Sequence, residues 1–161
     1  MRLEGVVDPA GPPASSIGIE AAQREPFVLR PRYSRRAIAS ELILIADDSR
    51  TIVSMVASRL ERSGYEVVTT ANGEDALKLA HERQPALVIL DVEMPKLDGY
   101  EVTRRLRANE ATSALPIILL TSHDDEAAQA TGFDAGATDY ITKPFSPQEL
   151  EAAVERILGR R

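Results

Sequence analysis

The stretch Ala86-Leu87-Val88-Ile89-Leu90-Asp91 decides the fold of this chain. Five consecutive apolar residues, with no polar position among them, are typical of a strand that lies in a parallel sheet and is covered on both faces. Similar runs occupy residues 42–46 and 116–120, and a weaker one occupies residues 138–142. Because segments with helical spacing of apolar residues separate these runs, the sequence predicts an α/β fold with a parallel sheet.

The remaining elements complete an alternation of five strands and five helices. Residues 66–71 are predicted as the second strand. Helices are predicted over residues 49–63, residues 72–84, a stretch that begins at Asp98, residues 124–135, and a stretch that begins at Ser146. The last of these has the clearest start, because Ser146 can cap the helix, Pro147 suits its first turn and Glu149 lies three residues on.

Most of the apolar runs end in residues with reactive side chains. These residues are Asp47, Asp48, Asp91, Thr121, Ser122 and Lys143. In open α/β sheets, ligands bind at the carboxyl ends of the strands. Parallel pairing would therefore gather three carboxylates, hydroxyl groups and an ammonium group at one edge of the sheet. That set of groups suits a divalent cation and a phosphoryl group.

The predicted acid cluster needs a counter-charge. Two carboxylates about 4 Å apart repel each other by roughly 4 kcal/mol at an effective dielectric constant of about 20, so the cluster favours a cation such as Mg²⁺. Asp91 can then act as a nucleophile on a phosphoryl donor, while Lys143, the Thr121 hydroxyl and the Ser122 amide neutralise charge on the phosphoryl oxygens. Taken singly, each residue also has an ordinary interpretation, such as a helix cap, a strand-end hydroxyl or a surface lysine.

Composition excludes several other classes of site. The chain contains no cysteine, which excludes a disulfide framework and thiol chemistry, and its two histidines are too few and too scattered for a typical zinc site. The net charge of −6 is concentrated after residue 40, which argues against nucleic acid as the main partner. We find neither a signal peptide nor a membrane-spanning segment, so we expect a cytoplasmic protein without membrane contact.

Residues 1–40 differ in composition from the rest of the chain. They contain five of the ten prolines and show no sustained periodicity, so we predict a flexible N-terminal extension. The basic piece from Arg30 to Arg36 has two open interpretations. It is either a docking segment for an acidic partner or nucleic acid, or a solvated tail.

The order and spacing of these motifs resemble the receiver domain of bacterial two-component response regulators. The resemblance rests on four motifs: Asp47-Asp48, Asp91-Val92-Glu93-Met94-Pro95 with Asp98-Gly99, Thr121-Ser122, and Lys143-Pro144-Phe145. It covers about residues 42–158 and implies a flavodoxin-like (βα)5 doubly wound parallel sheet with strand order 2-1-3-4-5. The chain would then consist of the extension at residues 1–40 and a receiver domain at residues 41–161, with no output domain.

The resemblance implies a phosphoacceptor and a metal site. Asp91 would accept the phosphoryl group. Asp48 and Asp91 would bind Mg²⁺ directly, Asp47 would act largely through water, and the backbone carbonyl of Glu93 would complete the ligand set. Glu93 and His123 would also flank the phosphoryl site, and we predict that they tune the rate at which the aspartyl phosphate hydrolyses. Solvated loop side chains are the alternative interpretation of these two residues.

The resemblance also implies a switch. Lys143, Thr121 and Ser122 would contact the phosphoryl group, and the bond between Lys143 and Pro144 would be cis. On activation, Thr121 would shift toward a phosphoryl oxygen and Tyr140 would rotate inward behind it. The ordinary interpretation of Tyr140, an aromatic residue at the sheet edge, stays open.

The implied function is phosphorylation-dependent signalling in a two-component phosphorelay. A histidine kinase or a histidine phosphotransfer protein would donate the phosphoryl group. A downstream protein would recognise the face formed by the fourth helix, fifth strand and fifth helix, and a homodimer is left open. The chain would not be a metabolic enzyme, because its chemistry would be limited to its own phosphorylation and slow autodephosphorylation. Direct binding of nucleic acid is not expected.

Other families fit the motifs less well. A haloacid-dehalogenase-type phosphatase requires Asp-x-Asp-x-Thr at its nucleophile, whereas Asp91 is followed by Val92 and Glu93. A flavodoxin requires a hydroxyl- and glycine-rich phosphate loop after its first strand, where this chain has an acid and a single hydroxyl. Two functional alternatives remain: a degenerate receiver that serves as a phosphorylation-independent binding or dimerisation module, and a true phosphatase or Mg²⁺-dependent hydrolase.

Overall fold

The computed structural model of the chain describes residues 40–159. The extension predicted at residues 1–40 therefore lies, except for Ser40, outside the described residues, and so does the basic piece within it. Between residues 40 and 159, no helix has both the length and the apolar character needed to cross a membrane.

In the described part of the chain, five parallel strands form one sheet. They are β1 Leu42–Ala46, β2 Glu66–Thr70, β3 Leu87–Asp91, β4 Ile117–Thr121 and β5 Asp139–Thr142. Their order is β2-β1-β3-β4-β5, with every neighbouring pair parallel. This topology confirms the predicted doubly wound fold. The strand order reverses between β1 and β3, so a crevice opens at the carboxyl ends of these two strands.

Within residues 40–159, five helices alternate with the strands. They are α1 Arg50–Arg62, α2 Gly73–Arg83, α3 Gly99–Ala108, α4 Glu126–Ala135 and α5 Pro147–Leu158. Each helix is preceded by a capping side chain that accepts a hydrogen bond from a backbone N–H three residues on; the caps are Ser49, Asn72, Asp98, Asp125 and Ser146. Such a cap contributes about 1 kcal/mol. Helix α4 begins two residues later than predicted, because Asp125 is its cap rather than part of its first turn.

The third and fourth strands run one residue further than their apolar runs predicted. Asp91 pairs with Leu120 across β3 and β4, and Thr121 pairs with Thr142 across β4 and β5. The sheet therefore continues through both polar residues. Their side chains project from the ends of rigid strands rather than from loops, which restricts their positions.

The sheet separates two layers of buried side chains. Alternate residues of β1 illustrate the division: Ile43 and Ile45 pack in one layer with α1 and α5, whereas Leu44 and Ala46 pack in the other with α2 and α3. This division follows from the two-residue period of a strand. The strands at the centre of the sheet are thus covered on both faces, as their continuous apolar sequences predicted.

Helix α4 is only weakly anchored by burial. Its buried residues are Gly132 and Ala135, and Phe133 on the same helix is 50% exposed. A fully buried large apolar side chain contributes about 1.5–3 kcal/mol, and α4 supplies none to the core. Polar contacts therefore have a larger share in fixing the position of α4 than in fixing the other helices.

Candidate functional site

Three carboxylates meet at the carboxyl edge of the sheet. Asp47 and Asp48 follow β1, and Asp91 ends the adjacent strand β3. One oxygen atom from each carboxylate lies within 4.8 Å of the others, a spacing that could hold a single metal ion. Asp47 and Asp91 are buried, whereas Asp48 is exposed. The cluster is therefore open to solvent on the side of Asp48.

Lys143 places a positive charge against two of these carboxylates. Its Nζ atom lies 3.1 Å from Asp91 Oδ1 and 3.0 Å from Asp47 Oδ2. The backbone N–H of Lys143 donates to the Thr121 carbonyl oxygen at 2.6 Å, which ties the residue to the end of β4. The bond between Lys143 and Pro144 is cis, as predicted.

Asp47 is a buried acid with an incomplete set of hydrogen bonds. Its Oδ1 atom accepts a hydrogen bond from the Ser49 backbone N–H at 2.9 Å. Its Oδ2 atom lies within ion-pair distance of Lys143, but no described residue offers it an aligned hydrogen-bond donor. The nearby ammonium group offsets part of the cost of burying Oδ2. A cation or a water molecule beside Oδ2 would complete its contacts.

The charges within the cluster shift the pKa values of its members. Burial raises the pKa of Asp91 to about 6; repulsion from Asp47 acts in the same direction, and the hydrogen bond from Lys143 acts against both. Burial alone would lower the pKa of Lys143, but its contacts with Asp47 and Asp91 raise that pKa above its usual value. At neutral pH the site therefore holds the Lys143 ammonium group beside an ionised Asp91 carboxylate.

These residues fit a hard divalent cation. Mg²⁺ prefers oxygen ligands and keeps several waters, so it binds through a few carboxylates rather than a closed protein cage. Asp47, Asp48 and Asp91 offer such ligands with one side open. Glu93, whose backbone carbonyl is the further predicted ligand, lies in the loop directly after β3.

Close backbone contacts fix the loop after β3. The Gly99 N–H donates to the Val92 carbonyl oxygen at 2.8 Å, and the Gly73 N–H donates to the Pro95 carbonyl oxygen at 3.3 Å. A Cβ atom at Gly99 would lie 2.5 Å from the Asp91 carbonyl oxygen, so this approach requires glycine. Gly99 therefore allows the start of α3 to lie against the main chain of Asp91.

The backbone of His123 joins the two predicted switch residues. Thr121 Oγ1 accepts a hydrogen bond from the His123 N–H at 3.0 Å, and Tyr140 Oη donates one to the His123 carbonyl oxygen at 2.7 Å. Thr121 is buried, and it lies one residue beyond the position that pairs with Asp91. Sequence reasoning missed this link, because backbone groups are common to all residues and give no signal in the sequence.

Ser122 follows β4 directly and lies beside Lys143 at a cavity next to the acid cluster. It is exposed and borders a cavity of about 310 Å³. Lys143 also lines this cavity, and the other lining residues are Ile52, Met55, Pro144 and Phe145. One wall beside the site is therefore largely apolar.

Glu93 and His123 contact each other across two loops. His123 Nε2 lies 2.8 Å from Glu93 Oε2, and the two side chains are 54% and 62% exposed, respectively. Glu93 belongs to the loop after β3 and His123 to the loop after β4. The pair thus connects the two loops that follow Asp91 and Thr121.

The raised pKa of Asp91 predicts how Asp91→Asn changes stability without metal. Because folding raises this pKa, ionised Asp91 destabilises the fold as pH rises through the interval from its unfolded value to about 6. In EDTA at pH 7.5, Asp91→Asn should increase the free energy of unfolding by about 1–3 kcal/mol. The gain should shrink as pH falls below 6.

Urea denaturation at pH 7.5 and pH 5 measures this difference. Asp134→Asn, at an exposed acid on α4 away from the cluster, is the matched control. An Asp91→Asn protein that is less stable than the parent at pH 7.5, or a gain that does not depend on pH, would contradict the electrostatic account of the site.

Known proteins share this sequence and fold. The family model of the response regulator receiver domain matches residues 43–155. The alkaline phosphatase synthesis transcriptional regulatory protein PhoP of Bacillus subtilis is 48% identical over 118 residues, which are 73% of this chain and 48% of PhoP. The chain therefore spans about half the length of that relative.

Two solved structures extend the comparison. The chemotaxis response regulator CheY4 of Vibrio cholerae is 34% identical, with a TM-score of 0.71 over 74% of this chain and 99% of CheY4. The receiver domain of the sensor histidine kinase PA1611 from Pseudomonas aeruginosa, whose structure has magnesium coordinated in the active site cleft, is 32% identical, with a TM-score of 0.70 over 75% of this chain and 99% of that domain. The chain belongs to the response regulator receiver domain family of two-component systems.

Proposed function

We propose that this protein is a signalling switch in which Asp91 accepts a phosphoryl group, with Mg²⁺, from a histidine kinase or a histidine phosphotransfer protein. The observation that carries the proposal is the placement of Lys143 Nζ within 3.1 Å of two buried carboxylates. Family membership supports the same role. A site with this charge pattern can stabilise a transferred phosphoryl group at the place where it forms.

Asp91 is the nucleophile in the proposed transfer. One of its carboxylate oxygens attacks the phosphorus of a phosphohistidine. The new P–O bond forms as the P–N bond breaks, and the electron pair of the broken bond remains on the imidazole nitrogen of the donor. The product is an aspartyl phosphate on this chain and a free histidine on the donor.

Neighbouring residues position the group and balance its charge. Lys143 moves from its contact with Asp91 to a phosphoryl oxygen, and Thr121 and Ser122 donate hydrogen bonds to other phosphoryl oxygens. Asp47, Asp48, Asp91 and the Glu93 carbonyl would hold Mg²⁺. When bound, the ion supplies further neutralisation of the phosphoryl charge.

Phosphorylation is transmitted through His123. When the Thr121 hydroxyl turns toward a phosphoryl oxygen, its contact with the His123 N–H changes and the loop after β4 shifts. The His123 carbonyl, which accepts from Tyr140 Oη at 2.7 Å, moves with that loop. Tyr140 then loses its outward hydrogen bond and rotates inward. Two discrete arrangements of this segment would form the bistable element of the switch.

The output surface is the face formed by α4, β5 and α5, which we call the α4–β5–α5 face. Phe133 on α4 is 50% exposed, and its ring centroid lies 6.3 Å from that of Tyr140. Arg156 on α5 forms an ion pair with Asp139 on β5. Rotation of Tyr140 would therefore change the exposed aromatic surface that it forms with Phe133, and a protein partner can recognise such a surface.

Each protein molecule would react only at its own Asp91, once per phosphoryl group received. An aspartyl phosphate formed at Asp91 hydrolyses slowly, so the protein stores a signal rather than converts a metabolite. Two other functions give different outcomes in the same experiments. A binding module would not respond to a phosphoryl analogue, and a true hydrolase would turn over a small phosphate ester repeatedly.

Beryllofluoride, which mimics a phosphoryl group on a carboxylate, tests the proposal directly. With Mg²⁺ present, we expect it to shift the amide NMR signals of Thr121, His123 and Tyr140. Asp91→Asn or removal of Mg²⁺ should abolish these shifts, and the control Asp134→Asn should leave them unchanged. Absence of shifts in the parent protein would favour the binding module, and repeated turnover of p-nitrophenyl phosphate would favour the hydrolase.

The pair of Glu93 and His123 predicts an effect on autodephosphorylation. Its 2.8 Å contact connects the loops on either side of the phosphoryl site, so we expect loss of the pair to admit water more readily. Glu93→Ala or His123→Ala should accelerate hydrolysis of the aspartyl phosphate by up to about five-fold, which corresponds to about 1 kcal/mol for one net hydrogen bond. Because the residues act together, the double variant should be no faster than the faster single variant. Unchanged rates in both single variants would remove this role.

A further inference from the structure

Helix α3 holds α4 at both of its ends. Tyr100 on the first turn of α3 donates from its Oη atom to the carbonyl oxygen of Ala128, in the first turn of α4, at 3.3 Å. Arg107 on the last turn of α3 donates from Nε to the carbonyl oxygen of Gly136, the cap at the end of α4, at 2.8 Å. The two residues lie seven positions apart and so share one side of α3. A weakly buried helix is thus attached by one polar side chain at each end.

The two attachments differ in strength. The Arg107 guanidinium also donates to the Leu115 carbonyl oxygen at 2.6 Å and lies 3.4 Å from Thr138 Oγ1. The Gly136 end of α4 is therefore held by a charged hydrogen bond from a guanidinium group that its contacts with Leu115 and Thr138 keep in place. Tyr100 has a single, neutral hydrogen bond to α4 at a distance near the long limit for such bonds. Breaking the attachment at the first turn of α4 therefore costs less free energy than breaking the attachment at Gly136.

Tyr100 also lies beside the predicted switch residue Tyr140. Burial, together with the proximity of Tyr140, raises the pKa of Tyr100 to about 12. The hydroxyl of Tyr100 therefore stays protonated and available as a donor. On the other side, the Tyr140 ring packs against α4 so closely that a Cβ atom at Gly132 would lie 3.0 Å from Tyr140 Cδ1. A rotation of Tyr140 would thus disturb both α4 and the surroundings of the Tyr100 hydroxyl.

We propose that the Tyr100 hydroxyl is a releasable restraint that holds the first turn of α4 in its unphosphorylated position. This role rests on the proposed function, since it assigns a regulatory part to a residue outside the phosphoryl site. Inward rotation of Tyr140 withdraws the ring that packs against Gly132, so α4 shifts. The long hydrogen bond from Tyr100 to Ala128 then breaks, and α4 pivots about the end that Arg107 holds. Tyr100 is a positioning residue, because its hydrogen bond is made to α4.

The variant Tyr100→Phe removes the hydroxyl and retains the ring. Because it weakens only the unphosphorylated arrangement, we expect the apparent affinity for beryllofluoride with Mg²⁺ to rise by about two- to ten-fold, the range that corresponds to one net hydrogen bond. In the metal-free protein, amide hydrogen exchange should accelerate in the first turn of α4 and stay unchanged at Gly136. Tyr65→Phe, the same chemical change in the layer that packs on α1 and α5, is the control and should leave the affinity unchanged.

The outcomes separate this role from a merely structural one and from failure of the proposed function. An affinity that is unchanged or lower in Tyr100→Phe would overturn the restraint, as would exchange that accelerates equally in all helices. If the parent protein itself fails to respond to beryllofluoride, the proposed function fails. The exchange comparison needs neither Mg²⁺ nor a phosphoryl analogue, so it then decides only whether the Tyr100 hydroxyl restrains the first turn of α4: local acceleration supports that contact and equal rates contradict it.

Discussion

The site depends on one ammonium group held between two buried carboxylates. Lys143 follows β5, and its side chain reaches past the end of β4 to Asp91 and, one strand further, to Asp47. Without that charge, the two buried acids would repel each other at low effective dielectric. Strand pairing places Thr121 at the end of β4, between the strand that carries Asp91 and the strand that precedes Lys143. The strand order and this one contact therefore assemble the site together.

The cluster carries more negative charge than Lys143 balances, and the proposed function depends on that excess. Three carboxylates face one ammonium group, and Asp47 Oδ2 has no aligned hydrogen-bond donor among the residues that the structure describes. A protein selected for stability alone would replace such acids, so the arrangement marks a place where stability is given up for chemistry. A divalent cation would offset the excess negative charge, and the cluster could then accept a phosphoryl group, which adds further negative charge.

Most of the fold and the contents of the site were predictable from the sequence, and the reason is the parallel sheet. Continuous apolar runs identify buried strands, and whatever follows them must meet at one edge, which is why Asp47, Asp48 and Asp91 were found together. The link through the His123 backbone and the contact of Tyr100 with α4 were not predictable. Both depend on where a loop and a helix come to lie after folding, and neither uses a side-chain type that marks a site.

Phosphorylation of Asp91 is the central claim, and mass spectrometry after incubation with acetyl phosphate and Mg²⁺ tests it most directly. Borohydride reduction locates an aspartyl phosphate on the chain, because it reduces the acyl phosphate of that side chain to an alcohol. The account predicts modification at Asp91, absent when EDTA is added and absent in the Asp91→Asn variant. Modification at another residue of the parent protein, or none at all while Mg²⁺ is bound, would contradict it.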